Sequence, residues 1–180
     1  MKYIALLRGI NVSGKNKISM TELKKALQEY NYKNVSTCLN SGNVIFESDS
    51  DKQSLMQHIS AIIRKKFNLL VPVLVITKAE LQDVFNHNPT WWNKGKKDIY
   101  DNLIFIIPPS TYDEIYKNIG KPSINIEKIE KDKNFIFWSF DLKSYTKANW
   151  RIKTSSSSIK GSVTIRTANT IKKVLELCDR

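Results

Sequence analysis

The chain has 180 residues, of which 41% are hydrophobic and 26% charged, a mixture typical of a globular protein rather than a disordered or fibrous one. No apolar run approaches the roughly 20 residues that span a bilayer, and no leader pattern precedes the first predicted strand. With only Cys38 and Cys178, the sequence predicts neither a disulfide scaffold nor a zinc site, so we expect a soluble cytoplasmic protein without membrane contact.

The formal net charge of +12 is the strongest global signal. A basic excess of this size in a small protein favours nucleic acid or another polyanion as a partner. An AT-rich coding sequence is an alternative cause, because lysine, isoleucine and asparagine are all frequent while arginine and alanine are scarce. The position of the charge along the chain is therefore more informative than its total.

The first half of the chain predicts the order β-α-β-β-α-β, which is that of a ferredoxin-like fold. Ser19 with Glu22, and Thr77 with Glu80, have the spacing of capping boxes at helix starts. The predicted strands are 2–7, 34–39, 43–47 and 71–76, with helices after Ser19, over 51–67 and after Thr77.

The second half repeats this order loosely. The sequence predicts a strand over 102–107, a helix over 110–118, and a strand pair over 123–130 and 134–140 that turns at 131–133. A helix over 144–150, a serine-rich loop over 154–161 and a closing helix around 171–178 follow. We therefore divide the chain into a first subdomain with an extra helix (1–85), a connection (86–101) and a second subdomain (102–180).

Three strands are apolar on both faces: 3–7, 103–107 and 135–140. Helices on one side cover only one face of an α+β sheet, so the second face must be covered as well. The sequence thus predicts an α+β protein of two ferredoxin-like halves packed into one compact unit.

The loop after the first strand is a candidate anion site. Its sequence matches the phosphate-binding pattern G-x-x-x-x-G-K, but Asn16 stands where a nucleotide-hydrolysing loop has Ser or Thr, and the predicted helix starts too late. Arg8, Asn11, Lys15, Asn16 and Lys17 remain able to gather donors around an anion. A solvated loop that uses its glycines for turning is the alternative.

Residues 142–175 contain eight lysines and arginines and no aspartate or glutamate. Tyr145 and Trp150 are interleaved with these cations, as in grooves that bind single-stranded nucleic acid, although Trp150 also fits a core position. Trp91 and Trp92 beside Lys94, Lys96 and Lys97 form a second basic and aromatic cluster, in which we favour tryptophans that fill a seam between the subdomains.

The sequence leaves enzymatic activity undecided. His58 and His87 stand in no recognisable catalytic pattern, and neither H-E-x-x-H nor G-x-S-x-G is present. The first half also lacks the aromatic pattern of RNA-recognition modules. We predict no metal site and no cofactor.

Four segments closely resemble the bacterial domain-of-unknown-function family 1697. They are Tyr3–Val12, Gly14–Lys17, Leu39–Phe46 and Thr164–Thr170. The resemblance covers the whole chain and is most specific in the first 50 residues. It implies two ferredoxin-like subdomains in one chain and no established activity.

The resemblance also implies which positions are characteristic of the family: Arg8, Asn11, Ser41, Gly42, Asn43, Arg166, Asn169 and Thr170. One departure is visible. The family motif near the C-terminus reads Arg-Asn-Trp-Asn-Thr, whereas this chain has Ala168 in place of the tryptophan. A site in which that aromatic contacts a ligand is therefore in doubt here.

Three hypotheses follow. The leading one is binding of an anionic ligand, either nucleic acid or a phosphorylated small molecule, through Arg8, Asn11, Lys15, Asn16, Lys17, Ser41, Asn43, Arg166 and Asn169. The second is an enzyme acting on a small phosphorylated substrate through an Asn- and Arg-rich site. The third is that the polar motifs are purely structural. The expected oligomeric state is a monomer.

Overall fold

The computed structural model describes residues 1–12, 14–156, 159 and 161–180. Ser157, Ser158 and Lys160 of the predicted serine-rich loop lie outside the described residues. The elements are β1 (Lys2–Leu7), α1 (Met20–Glu29), β2 (Lys33–Cys38), β3 (Asn43–Glu47), α2 (Lys52–Phe67), β4 (Val73–Thr77), α3 (Lys78–Asn86), β5 (Ile99–Ile106), α4 (Tyr112–Ile119), β6 (Glu127–Asp132), β7 (Phe135–Asp141), a 3-10 helix (Leu142–Lys147), α5 (Asn149–Lys153), β8 (Val163–Thr167) and α6 (Ala168–Cys178).

The chain divides into two units. The first consists of Met1–Asp83 and Lys172–Arg180, and the second of Val84–Ile171. The last residues of the chain thus belong with the first unit: Lys2 Nζ donates to the Cys178 carbonyl, and Lys78 pairs with Asp179.

The first unit holds an antiparallel sheet with the strand order β2-β3-β1-β4. This order, together with the chain order β-α-β-β-α-β, is the ferredoxin-like topology and confirms the prediction. The core of this unit packs apolar residues of α1 and α2, such as Leu27 and Ile59, with Ala5 and Val44 of the central strands. Ile4 and Leu6, which alternate with Ala5, are also buried, as predicted for a strand that is apolar on both faces.

Cap side chains fix where the helices begin, and two of them, Ser19 and Thr77, stand at predicted caps. The Ser19 hydroxyl accepts from the Glu22 amide, and the Asp51 carboxylate accepts from the Ser54 amide. At Thr77 the box is reciprocal, because Glu80 also accepts from the Thr77 amide at 2.8 Å. These contacts satisfy amides that have no partner within the first turn of a helix.

The second unit holds a sheet with the equivalent order β6-β7-β5-β8. Its core includes Ile104, Ile136, Trp138 and Trp150. Trp150 has no exposed surface, and its indole Nε1 donates to the Gly120 carbonyl. It is therefore a core residue, which was one of the two interpretations open from the sequence.

Several second-half elements differ from the sequence prediction. β8 was not predicted, the β6–β7 turn lies at 133–134 instead of 131–133, and the helix expected over 144–150 is the 3-10 helix followed by α5. Lys133 has φ +51°, which allows the tighter turn. β5 begins at Ile99, three residues earlier than predicted.

Candidate functional site

The loop after β1 and the turn before β3 lie together at one end of the first sheet. The Leu7 amide donates to the Gly42 carbonyl at 2.8 Å, and Asn11 Nδ2 donates to the Asn40 carbonyl at 2.9 Å. The Arg8 amide donates to the Pro72 carbonyl, which precedes β4. The structure thus brings Arg8, Asn11, Lys15, Asn16, Lys17, Ser41 and Asn43 into one region of the first unit.

The asparagine side chains in this loop bind the backbone. Asn11 has φ +54°; its Nδ2 donates to the Ile18 and Asn40 carbonyls, and its Oδ1 accepts from the Ile18 amide, each at 2.9 Å. Asn16 has φ +47°, and its Nδ2 donates to the Gly9 carbonyl at 3.0 Å. Asparagine tolerates positive φ better than most residues. Both amides therefore hold the loop in shape.

The turn before β3 is equally committed to structure. Asn43 has no exposed surface, and its Nδ2 donates to the Cys38 carbonyl and to Ser41 Oγ. Gly42 has φ +75°, and a Cβ placed there would lie 2.7 Å from the Leu7 Cβ. This close approach and the positive φ both require glycine.

Cations, rather than amides, are the groups that this end of the sheet offers to a ligand. Arg8 is half-buried, and burial lowers the pKa of its guanidinium. Lys15 and Lys17 are exposed, and neither forms an ion pair with a described residue. The sequence has no acidic residue before Glu22. α1 begins at Met20, so the loop does not run directly into a helix as a nucleotide-hydrolysing loop does.

The second unit contains the remaining predicted residues. Arg166 lies on β8 and is only 7% exposed, and its Nη1 donates to Thr164 Oγ1 and to the Ile165 carbonyl, both at 2.8 Å. Thr167 Oγ1 accepts from the Thr170 amide at 3.2 Å and fixes the start of α6. Asn169, in the first turn of α6, is exposed.

Asn169 lines a pocket of about 400 Å³ in the second unit, which we call the Asn169 pocket. Lys96 and Lys97 line it from the segment before β5, and Thr167 lines it from the end of β8. Tyr100, which is 42% exposed, contributes an aromatic ring. The pocket therefore combines two ammonium groups, an aromatic ring and the N-terminal end of an 11-residue helix.

Sequence reasoning assigned Asn169 to a site but did not place Lys96, Lys97 or Tyr100 beside it. The signal that was available is the run Lys94-Gly-Lys-Lys97, which follows the tryptophan pair. Trp92 has no exposed surface; its Nε1 donates to the Asn102 carbonyl at 2.9 Å, so it packs inside the second unit.

The basic residues of segment 142–175 make several different kinds of contact. Lys143 pairs with Asp98 at 3.2 Å, and Lys153 Nζ donates to the Ile119 carbonyl. Arg151 packs over the Tyr145 ring with its Cζ 4.6 Å from the ring centroid, and both side chains are exposed. Lys172 and Lys173 are exposed on the part of α6 that belongs to the first unit. The absence of acidic residues along this segment thus does not define a single site.

A titratable pair lies in another pocket, of about 430 Å³, in the first unit. The Tyr32 hydroxyl is 3.0 Å from His58 Nδ1. Burial raises the pKa of Tyr32 to about 12, so the hydroxyl keeps its proton at neutral pH. The ring of Tyr32 also packs edge-on against Phe46 and stacks with His58, an arrangement that indicates a structural role.

The described residues contain no group of three or more His, Cys, Asp or Glu side chains that could hold a metal ion. Of the helices in the same part of the chain, none is long and apolar enough to cross a membrane.

A protein-family model described as "Protein of unknown function (DUF1697)" matches residues 1–137. The chain belongs to this family. The DUF1697 match includes the loop after β1 and the turn before β3, whereas Thr164–Thr170 lies beyond the matched residues. A search of curated proteins found no match.

The DUF1697 chain is also similar to a solved structure, described as that of the conserved bacterial protein SP0830 from Streptococcus pneumoniae. The two sequences are 25% identical, the similarity covers 98% of this chain and 97% of that chain, and the TM-score is 0.84. The similarity therefore extends over both units of the chain.

Proposed function

We propose that this protein binds a small phosphorylated ligand in the Asn169 pocket. The observation that carries the proposal is the convergence of Lys96, Lys97 and the N-terminal end of α6 on one pocket. Its volume of about 400 Å³ lies in the range of small-molecule sites, roughly 300–1,000 Å³.

The electrostatics of the pocket favour an anion. Lys96 and Lys97 form no ion pair with a described residue, so their charges are available to a ligand. The dipole of α6 adds partial positive charge at its N-terminal end, where the Thr170 amide already donates to Thr167 Oγ1, and phosphate groups commonly bind at such helix ends. Asp101 also lines the pocket and accepts a hydrogen bond from Ser139 Oγ, and its single negative charge is outnumbered by the two lysines.

The hypothesis of an enzyme with an Asn- and Arg-rich site has less support than the phosphate-binding pocket. The side chains of Asn11, Asn43 and Arg166 are engaged with backbone carbonyls, hydroxyl groups or a backbone amide of the protein itself. A substrate would have to displace these contacts, and the freed groups would then be buried without partners. For the asparagines, the structural hypothesis describes the observed contacts best.

Removal of both pocket lysines is expected to weaken anion binding. With pyrophosphate as the probe in isothermal titration calorimetry at low salt, the double variant Lys96→Ala/Lys97→Ala should bind about tenfold more weakly or worse, which corresponds to a loss of at least about 1.4 kcal/mol. Lys117→Ala/Lys121→Ala removes the same charge from exposed positions of the same unit outside the pocket and should bind as the wild type does. Equal affinity of all three proteins rules out the Asn169 pocket as the site.

A second candidate function is contact with a polyanion at the loop after β1. It is favoured by the exposure of Lys15 and Lys17 on a loop that Asn11 and Asn16 hold in shape. A preorganised loop loses little conformational entropy when it binds. An open surface of this kind suits an extended strand better than a small molecule.

The salt dependence of oligonucleotide binding tests this candidate. In fluorescence anisotropy with a labelled single-stranded oligonucleotide, Lys15→Ala/Lys17→Ala should reduce the slope of log Kobs against log salt concentration by about 1.4, or 0.7 per lost phosphate contact. The control Lys24→Ala/Lys25→Ala on α1 should keep the wild-type slope. If both double variants change the slope equally, the change reflects the total charge of the protein, and the loop after β1 makes no specific contact with the oligonucleotide.

A further inference from the structure

A larger pocket, of about 470 Å³, lies beside the Asn169 pocket in the second unit. We call it the Trp91 pocket. Lys96 and Ile99 line both pockets, so the two share a wall at the start of β5. One ligand of sufficient length can therefore place one group in each pocket.

The Trp91 pocket has the lining of a site for a planar ring. Trp91 is half-buried and presents part of its indole, and Phe140 and Ile126 add apolar surface. Lys94 and Lys128 are exposed on the lining, where they can meet polar edges of a bound ring. Aromatic side chains with neighbouring cations are the usual platform on which nucleobases stack.

Two acidic residues line this pocket, Glu127 and Asp141, and the carboxylate of each already accepts hydrogen bonds from the protein. The Glu127 carboxylate already accepts from the amides of Ser123, Trp150 and Arg151 and from the Trp138 indole. These four donors stabilise the Glu127 carboxylate in its buried position, and the Asp141 carboxylate accepts from the Lys143 amide. Lys94, Lys96 and Lys128 outnumber the two carboxylates, so the lining carries a net positive charge.

We infer that the ligand is a nucleotide, with its phosphates in the Asn169 pocket and its base against Trp91. This inference rests on the proposed function, since it requires that the Asn169 pocket binds phosphate. It adds the ligand class, because a phosphorylated sugar without a ring of this kind would leave the Trp91 pocket empty.

Trp91 supplies a direct signal for the test. Of the four tryptophans, all of which the structure describes, Trp92, Trp138 and Trp150 are buried and Trp91 is not. A base that stacks on Trp91 should therefore quench a component of the fluorescence that solvent already reaches. The probes are ADP, which has base and phosphates, and pyrophosphate, which has phosphates alone.

The expected result has three parts. ADP binds the wild type at least about tenfold more tightly than pyrophosphate and quenches the tryptophan fluorescence. Trp91→Ala loses this advantage, so that ADP then binds with the affinity of pyrophosphate, whereas pyrophosphate binding is unchanged and shows that the variant is folded. Trp91→Phe keeps part of the advantage, because it retains a ring, but loses the quenching.

The outcomes separate the two proposals. If pyrophosphate binds and ADP binds no better, or if Trp91→Ala leaves the ADP advantage intact, the nucleotide inference is wrong and the phosphate site stands. If pyrophosphate does not bind the wild type, the proposed function fails and the nucleotide inference fails with it.

Discussion

Replacement of Glu127 by alanine is expected to lower the free energy of unfolding by about 3 kcal/mol, the cost of leaving several buried donors without a partner. The side chain is 7% exposed. Its carboxylate accepts from the Ser123 amide at 2.9 Å, the Trp150 amide at 3.0 Å and the Trp138 indole at 3.2 Å. Ala148 stands at the N-cap of α5 and has no side chain that can accept a hydrogen bond, so Glu127 on β6 accepts from the Trp150 and Arg151 amides in the first turn of that helix.

Urea denaturation followed by circular dichroism measures this effect. Glu130→Ala is the control, because Glu130 lies on the same strand with an exposed side chain and should change the free energy of unfolding by less than about 0.5 kcal/mol. Glu127→Gln should fall between the two, since an amide keeps one acceptor oxygen. If Glu127→Ala lowers the free energy of unfolding by less than about 1 kcal/mol, Glu127 is not the acceptor on which these buried donors depend.

Gly42→Ala is the second substitution with a large expected effect, a loss of about 3 kcal/mol in the free energy of unfolding. Part of the loss is the positive φ of +75°, which costs an alanine about 1 kcal/mol. The rest is crowding, because the new Cβ would lie 2.7 Å from the Leu7 Cβ and 2.8 Å from Ile10 Cδ1. The Leu7–Gly42 backbone hydrogen bond joins the loop after β1 to the turn before β3, so a displacement of the backbone at residue 42 would disturb both segments.

Gly14→Ala is a close control for Gly42→Ala. Gly14 has φ +76°, nearly the same as that of Gly42, but nothing lies within 4 Å of a Cβ placed there. The control should therefore lose only the backbone part, about 1 kcal/mol. Thermal unfolding of the two variants separates strain from crowding; equal losses would show that the crowding is relieved without cost.

The first half of the fold could be predicted because its local signals agree with one another. Ser19, Asp51 and Thr77 cap the helices that begin directly after them, and apolar positions repeat at helix or strand spacing between the caps. β8 escaped prediction because Thr164 and Arg166 are polar residues at buried positions. Arg166 donates to Thr164 Oγ1 and to the Ile165 carbonyl, and residue type alone does not reveal such contacts.

The candidate site was predictable only in part, because its residues come together from distant positions. Asn169 stood out by its resemblance to a family motif, but Lys96 and Lys97 precede it by about 70 residues. Conversely, Asn11 and Asn43 have the polarity of ligand-binding residues, and only their contacts reveal that they bind the backbone. A short polar motif cannot distinguish a loop that is held in shape from one that holds a ligand.

The Asn169 pocket can be tested as the ligand site by titrating the isotope-labelled protein with pyrophosphate. The backbone amide shifts in NMR spectra report which residues respond. We expect the largest shift changes at Lys96, Lys97 and the first turn of α6, Ala168–Thr170, and the Lys96→Ala/Lys97→Ala variant should need at least about tenfold more pyrophosphate to saturate. Largest changes at Lys15 and Lys17 instead, or no saturable change anywhere, would contradict the Asn169 pocket as the ligand site.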